Sequence, residues 1–113
     1  MVTQYKQLTA NLAVRPQVQP AEIAELAAQG YKGIINARPD NEEPGQPKSA
    51  DLEAEAKRQG LTYTHIPVVP GKATAEDAAR FAEALRQCDG KVVGFCRTGA
   101  RAAGLWELAN KPR

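Results

Sequence analysis

The sequence predicts an α/β fold: one domain with a mainly parallel sheet of four to five strands flanked by helices. Short runs rich in Val, Ile and Phe alternate along the chain with amphipathic stretches of helical period. Gly, Pro, Ser or Thr punctuates nearly every boundary between them. Size supports one core, because 113 residues would starve a second. A single domain over residues 1–113 is therefore expected.

Residues 8–14 read as a first strand or hairpin. Pro20 opens a helix with Ile23, Leu26 and Ala27 on one face, and Gly30 ends it. Residues 33–37 form a buried strand. The stretch 38–48, with Pro39, Pro44, Gly45 and Pro47, is a long loop, after which Ser49 caps a helix running to Gln59 and stopped by Gly60. Residues 61–67 are the next strand and 68–73 a second loop. Thr74 caps a third helix, with Glu76 and Asp77 at its positive end and Ala78, Phe81, Ala82 and Leu85 turned inward. Residues 92–95 are the last strand. The chain then turns through Thr98-Gly99 into a helix near Arg101 carrying Leu105, Trp106 and Leu108.

Composition excludes several function classes. Apolar residues make up 42% and charged residues 25%, the balance of an ordinary globular protein. Fifteen basic and thirteen acidic side chains leave a net charge of +2 with no basic run, so no nucleic-acid partner is expected. No apolar run approaches the roughly 20 residues of a membrane span, and residues 1–6 hold no signal-peptide core. A cytoplasmic protein with reduced thiols is the expectation. Cys88 and Cys96 flank the strand 92–95 and should lie roughly 20 Å apart, whereas a disulfide needs Cα atoms within about 7 Å. The lone His65, with no cluster of Cys or carboxylates around it, is read as a strand-end side chain satisfied by backbone, and neither metal nor cofactor is expected.

The chemistry concentrates in Cys96-Arg97-Thr98-Gly99-Ala100-Arg101, which follows a strand directly and opens a helix. Ligands of open α/β sheets bind outside the carboxyl ends of the strands. A short turn there aims backbone N–H groups into one concavity, and the helix dipole adds positive potential, so the loop suits an oxyanion. The same field should hold the Cys96 thiol below the ordinary value of about 8.5. Arg101 offers a planar fork of donors, and a cation in a first helical turn opposes the dipole unless an anion sits beside it. Cys96 and Arg101 are thus the catalytic candidates. Arg97, Thr98, Gly99 and Ala100 are the substrate-binding candidates, joined by Arg38 and Asp40 from the end of a neighbouring strand. The expected partner is a small anion: thiosulfate, a persulfide or a phosphoester. Cys88, Tyr63 and Trp106 are read as packing.

The strand with its Cys96 loop resembles the active-site loop of rhodanese-type sulfurtransferases, while the order of elements looks like the dual-specificity phosphatase fold, a cysteine-phosphatase architecture. Both features meet in the bacterial family called beta-lactamase-hydrolase-like protein, phosphatase-like domain. The sequence is similar to it through Ile34-Ile35-Asn36-Ala37-Arg38-Pro39-Asp40, Glu42-Glu43-Pro44-Gly45-Gln46-Pro47, Tyr63-Thr64-His65-Ile66-Pro67-Val68 and the Cys96 loop. Ala100 and Ala102 stand where that family usually has hydroxyl residues, and Arg15-Pro16 replaces a small pair.

Phosphatases of this fold separate cysteine and arginine by five residues, whereas here only Arg97, Thr98, Gly99 and Ala100 intervene. The tighter ring favours a persulfide or the sulfur end of thiosulfate over a phosphoryl group. A phosphoester also needs an acid for its leaving group, and residues 68–72 hold no carboxylate. A sulfurtransferase is therefore the main expectation: Cys96 becomes a persulfide and passes sulfur to an acceptor thiol or cyanide. The alternative is a phosphatase working through a phosphocysteine, with Asp40, Glu42 or Glu43 as its acid. A non-catalytic anion-binding or docking module is the third.

Overall fold

In the computed structural model, which describes residues 6–110, the expected first strand is a hairpin of β1 (Lys6–Thr9) and β2 (Leu12–Arg15). A single 3-10 turn, Pro20–Glu22, leads into α1 (Ile23–Ala28), followed by β3 (Tyr31–Asn36) and α2 (Ser49–Arg58). Then come β4 (Thr62–His65), α3 (Ala75–Gln87), β5 (Lys91–Phe95) and α4 (Ala100–Ala109). The expectations resting on residues 1–5 lie outside the described residues.

The sheet order is β1-β2-β5-β3-β4, with β1 antiparallel to β2 and every other pair parallel. The last strand is thus the middle one, clamped between β2 and β3. Pairing continues beyond the strands, since Ala37 N–H donates to the Phe95 carbonyl (2.8 Å) and Val68 N–H to the Ala37 carbonyl (3.0 Å). The carboxyl ends of β2, β3, β4 and β5 consequently form one edge. Among the described residues no helix is long and apolar enough to cross a membrane.

Alternation across the pleat builds two cores, because successive side chains leave a strand on opposite faces. Leu12, Val14, Ile35 and Val92 pack with Phe81 of α3 and Ala102 and Leu105 of α4. Ala13, Ile34, Val93 and Phe95 pack with Ile23 and Leu26 of α1 and Leu52 and Ala56 of α2. Gly94 lets α4 close in: a Cβ there would meet the Ala102 Cβ at 3.4 Å and Phe81 at 3.7 Å. Cys88 is a packing thiol, as expected, with its Sγ against Gly33, where a Cβ would come within 2.8 Å of it.

One expected cap is wrong. Lys48 is the N-cap of α2 and Ser49 its first residue. The Ser49 N–H is satisfied from the loop, by Oδ1 of Asp40 at 2.8 Å. The Ser49 hydroxyl bonds the Tyr63 hydroxyl at 2.8 Å instead, and Asn36 Nδ2 donates to the same phenol at 2.9 Å. Tyr63, read as packing, ties α2 to β3 and β4.

Candidate active site

Cys96 directly follows β5 and precedes α4 by the turn through Thr98 and Gly99. Gly99 is the N-cap of that helix at φ +98°, a left-handed conformation that glycine adopts without steric cost. The turn brings backbone N–H groups back onto the thiol: Gly99 N–H donates to Sγ at 3.0 Å and Arg101 N–H at 3.3 Å. Burial pushes the Cys96 thiol up, but hydrogen bonds from the backbone of Ala102, Arg101, Thr98 and Gly99 outweigh it and hold the pKa below the ordinary value. The short loop thus still turns its amides onto the sulfur.

The thiol is covered. Cys96 has 0% of its surface exposed. The Arg101 guanidinium interacts with the thiol and is itself engaged by Glu42. Arg101 Nη1 donates to Glu42 Oε2 (2.7 Å) and to the Val68 carbonyl (2.8 Å), and its Nη2 donates to Glu42 Oε1 (2.9 Å). These bonds from Glu42 raise the Arg101 pKa above its ordinary value.

Arg38 supports this arrangement from below. It is 1% exposed, and its guanidinium donates to Glu42 (Nε, 2.8 Å), Gln17 Oε1 (Nη1, 2.9 Å) and Glu43 (Nη2, 3.0 Å). Its backbone is pinned too: Arg38 N–H donates to Asn36 Oδ1 at 2.8 Å, and the His65 ring Nε2 bonds the Arg38 carbonyl at 2.8 Å. His65 is therefore the backbone-satisfied side chain expected of it. Hydrogen bonds from Arg101 and Arg38 hold the Glu42 carboxyl down at about 2.

The predicted site residues divide. Arg38, Arg97 and Arg101 line one open cavity of about 450 Å³ together with Glu42, Glu43 and Pro70. Thr98, Gly99 and Ala100 line another, of about 320 Å³, with Lys6, Arg15 and Pro16 behind the loop. Asp40 belongs to neither, because its carboxylate is spent on the α2 N-terminus. Glu42, weighed as an acid but left out of the binding set, is the residue that touches Arg101. Its only sequence signal was a carboxylate in a Pro- and Gly-rich loop after a strand.

The family model for the phosphatase-like domain of beta-lactamase hydrolase-like protein matches residues 4–112. The chain belongs to this family. A beta-lactamase hydrolase-like protein of Xylella fastidiosa is 38% identical over 99 residues, 88% of this chain and 23% of that protein. This chain thus spans about a quarter of the length of the curated relatives it matches. A candidate phosphatase from Neisseria meningitidis superposes with a TM-score of 0.81 at 34% identity, over 88% of this chain and 71% of that one. TpbA of P. aeruginosa, solved as a cysteine-to-serine variant in complex with pTyr, shares the fold at a TM-score of 0.62 and 12% identity, over 88% of this chain and 57% of its own. The family's domain is therefore a cysteine-phosphatase-like fold. The comparisons back the phosphatase alternative better than the sulfur transfer expected from the loop length.

Proposed function

We propose that this domain is a cysteine-dependent phosphomonoester hydrolase of the protein-tyrosine or dual-specificity type. The observation that carries the reading is the low-pKa Cys96 thiol, receiving N–H groups at the carboxyl end of β5 with the Arg101 fork beside it. The thiolate attacks phosphorus, an S–P bond forms and the ester P–O bond breaks. Water then cleaves the phosphocysteine and restores the thiolate. Arg101 binds two phosphoryl oxygens, while α4 and the loop amides stabilise charge in the transition state. Three arginines against two glutamates leave the lining of the surrounding cavity net positive, which draws an anionic substrate in. The pTyr complex of the TpbA variant supports an aryl phosphate as the substrate to try first.

The test sets 4-nitrophenyl phosphate and phosphotyrosine against thiosulfate plus cyanide, with Cys96→Ser as control. Phosphate release that the substitution abolishes is expected, together with a phosphorylated Cys96 trapped at low pH. Thiocyanate without phosphate release returns the protein to sulfur chemistry, and silence in both assays leaves an anion-binding module.

A further inference from the structure

Glu42 lies where a substrate anion belongs. Its two oxygens span Nη1 and Nη2 of Arg101 at 2.7 and 2.9 Å, the side-by-side geometry in which a guanidinium takes two phosphoryl oxygens. The carboxylate and the phosphoryl group therefore compete for one fork. Other contacts keep Glu42 in the cavity once that fork is lost. Glu42 Oε1 also accepts from Nε of Arg38, whose guanidinium is buried and tied to Gln17 and Glu43. The Glu42 backbone N–H donates to Gln46 Oε1 at 3.0 Å, and Gln46 Nε2 donates to the Pro39 carbonyl at 2.8 Å. Asn41, just before it, takes φ +65°, so the loop is a built turn that presents this side chain.

The other carboxylates near the site are less suited to proton transfer. Asp40 caps α2, and Glu43 pairs with Arg38 while 48% exposed. Residues 68–72 offer none. A phosphoester leaving group nonetheless departs as an alkoxide or phenoxide unless a proton meets it.

We propose that Glu42 is the leaving-group acid of this site, resting on Arg101 here and freed to act when the substrate's phosphoryl group takes that guanidinium. The inference rests on the phosphatase reading. Exchange of partners changes the carboxyl's chemistry: it gives up the Arg101 bonds, the strongest of those that keep it ionised, retains the one from Arg38, and gains a neighbouring phosphoryl anion, and like charges favour the protonated acid. The proton comes from the substrate monoanion or from solvent. In the first step the S–P bond forms, the P–O bond breaks, and the Glu42 proton moves to the leaving oxygen. In the second, water attacks phosphorus, Glu42 takes its proton, the S–P bond breaks, and inorganic phosphate departs. Glu42 then returns to Arg101.

The test compares leaving groups in the full chain. Glu42→Gln is expected to lower kcat/KM on phenyl phosphate by ~10²-fold or more, within the range for a lost general acid, but by less than ~10-fold on 4-nitrophenyl phosphate, whose phenolate leaves unaided. Inorganic phosphate, as a competitive inhibitor, is expected to bind the variant more tightly because the competing carboxylate charge is gone. Equal losses on the two esters in a variant still folded at the assay temperature, or unchanged phosphate inhibition, overturn the proposal while leaving the phosphatase reading intact. A wild-type chain that releases phosphate from neither ester overturns both.

Discussion

Gly99 and the backbone of Arg15 are in close contact: a Cβ on Gly99 would stand 3.3 Å from both the carbonyl carbon and the carbonyl oxygen of Arg15. Arg15 cannot easily give way. It is 4% exposed, and its guanidinium donates to the Pro16 and Gln17 carbonyls (3.0 and 2.9 Å) and to Glu22 (2.9 Å). The Cys96 loop is thus braced from behind by the end of β2, on a backbone conformation that only glycine takes cheaply.

Gly99→Ala should cost about 1–3 kcal/mol from the left-handed φ alone. Because Gly99 also donates to Sγ, the strained loop should bind and activate the thiol less well. Thermal melting gives the first quantity and phosphatase turnover the second. A variant with wild-type melting temperature and activity would show that the turn does not need glycine.

The ultraviolet absorbance of the Cys96 thiolate should titrate with a midpoint below the ordinary thiol value of about 8.5, and Cys96→Ser should remove that signal. Because the folded-state pKa is the lower one, ionisation of Cys96 adds stability that is complete above the unfolded thiol's pKa. That stability is lost as the pH falls through the folded-state value. A midpoint at or above the ordinary value contradicts the picture of converging amides.

Glu42 should leave a similar mark at acid pH. Its carboxyl titrates at about 2 rather than 4.5, so its stabilising share is complete above pH 4.5 and fades as the pH falls toward 2. The melting temperatures of wild type and Glu42→Gln should therefore converge over that interval. A gap that stays constant through it would mean the carboxylate contributes through packing rather than charge.

Arg101→Lys keeps the charge and loses the planar fork. A fall of roughly 10²- to 10³-fold in kcat is expected, the scale for removing one preorganised donor to a transition-state oxyanion. Steady-state kinetics on 4-nitrophenyl phosphate measure it, and a fall of less than ~10-fold would mean that charge alone suffices.

Arg38→Met should destabilise the domain by about 2–4 kcal/mol, because it leaves Glu42, Glu43 and Gln17 without their shared donor. It should also raise KM, since the Glu42 loop loses its buried anchor. Chemical denaturation and kinetics on the same preparation separate the two effects.

Much of this was legible in the chain, for a definite reason. The candidate nucleophile and the amides that bond it are contiguous in Cys96–Arg101, so one strand-turn-helix pattern places them together. The α3 cap is equally local: the Thr74 hydroxyl accepts from the Asp77 N–H at 3.0 Å, and Asp77 Oδ2 accepts from the Thr74 N–H at 3.1 Å. The preference for sulfur rested on the number of residues in the loop, and the fold the comparisons show favours the phosphatase alternative instead.

The sequence by itself determined the α/β order, the two-faced strands and the reactive loop, since each is written in neighbouring residues and periodicities of two or 3.6. Only the tertiary structure decided that Glu42 sits on Arg101, 59 residues away, that Asp40 rather than Ser49 satisfies the start of α2, and that Arg15 backs Gly99. Charge pairs carry no signature of distance along a chain. They are chosen when β5 slides between β2 and β3 and draws three loops to one edge.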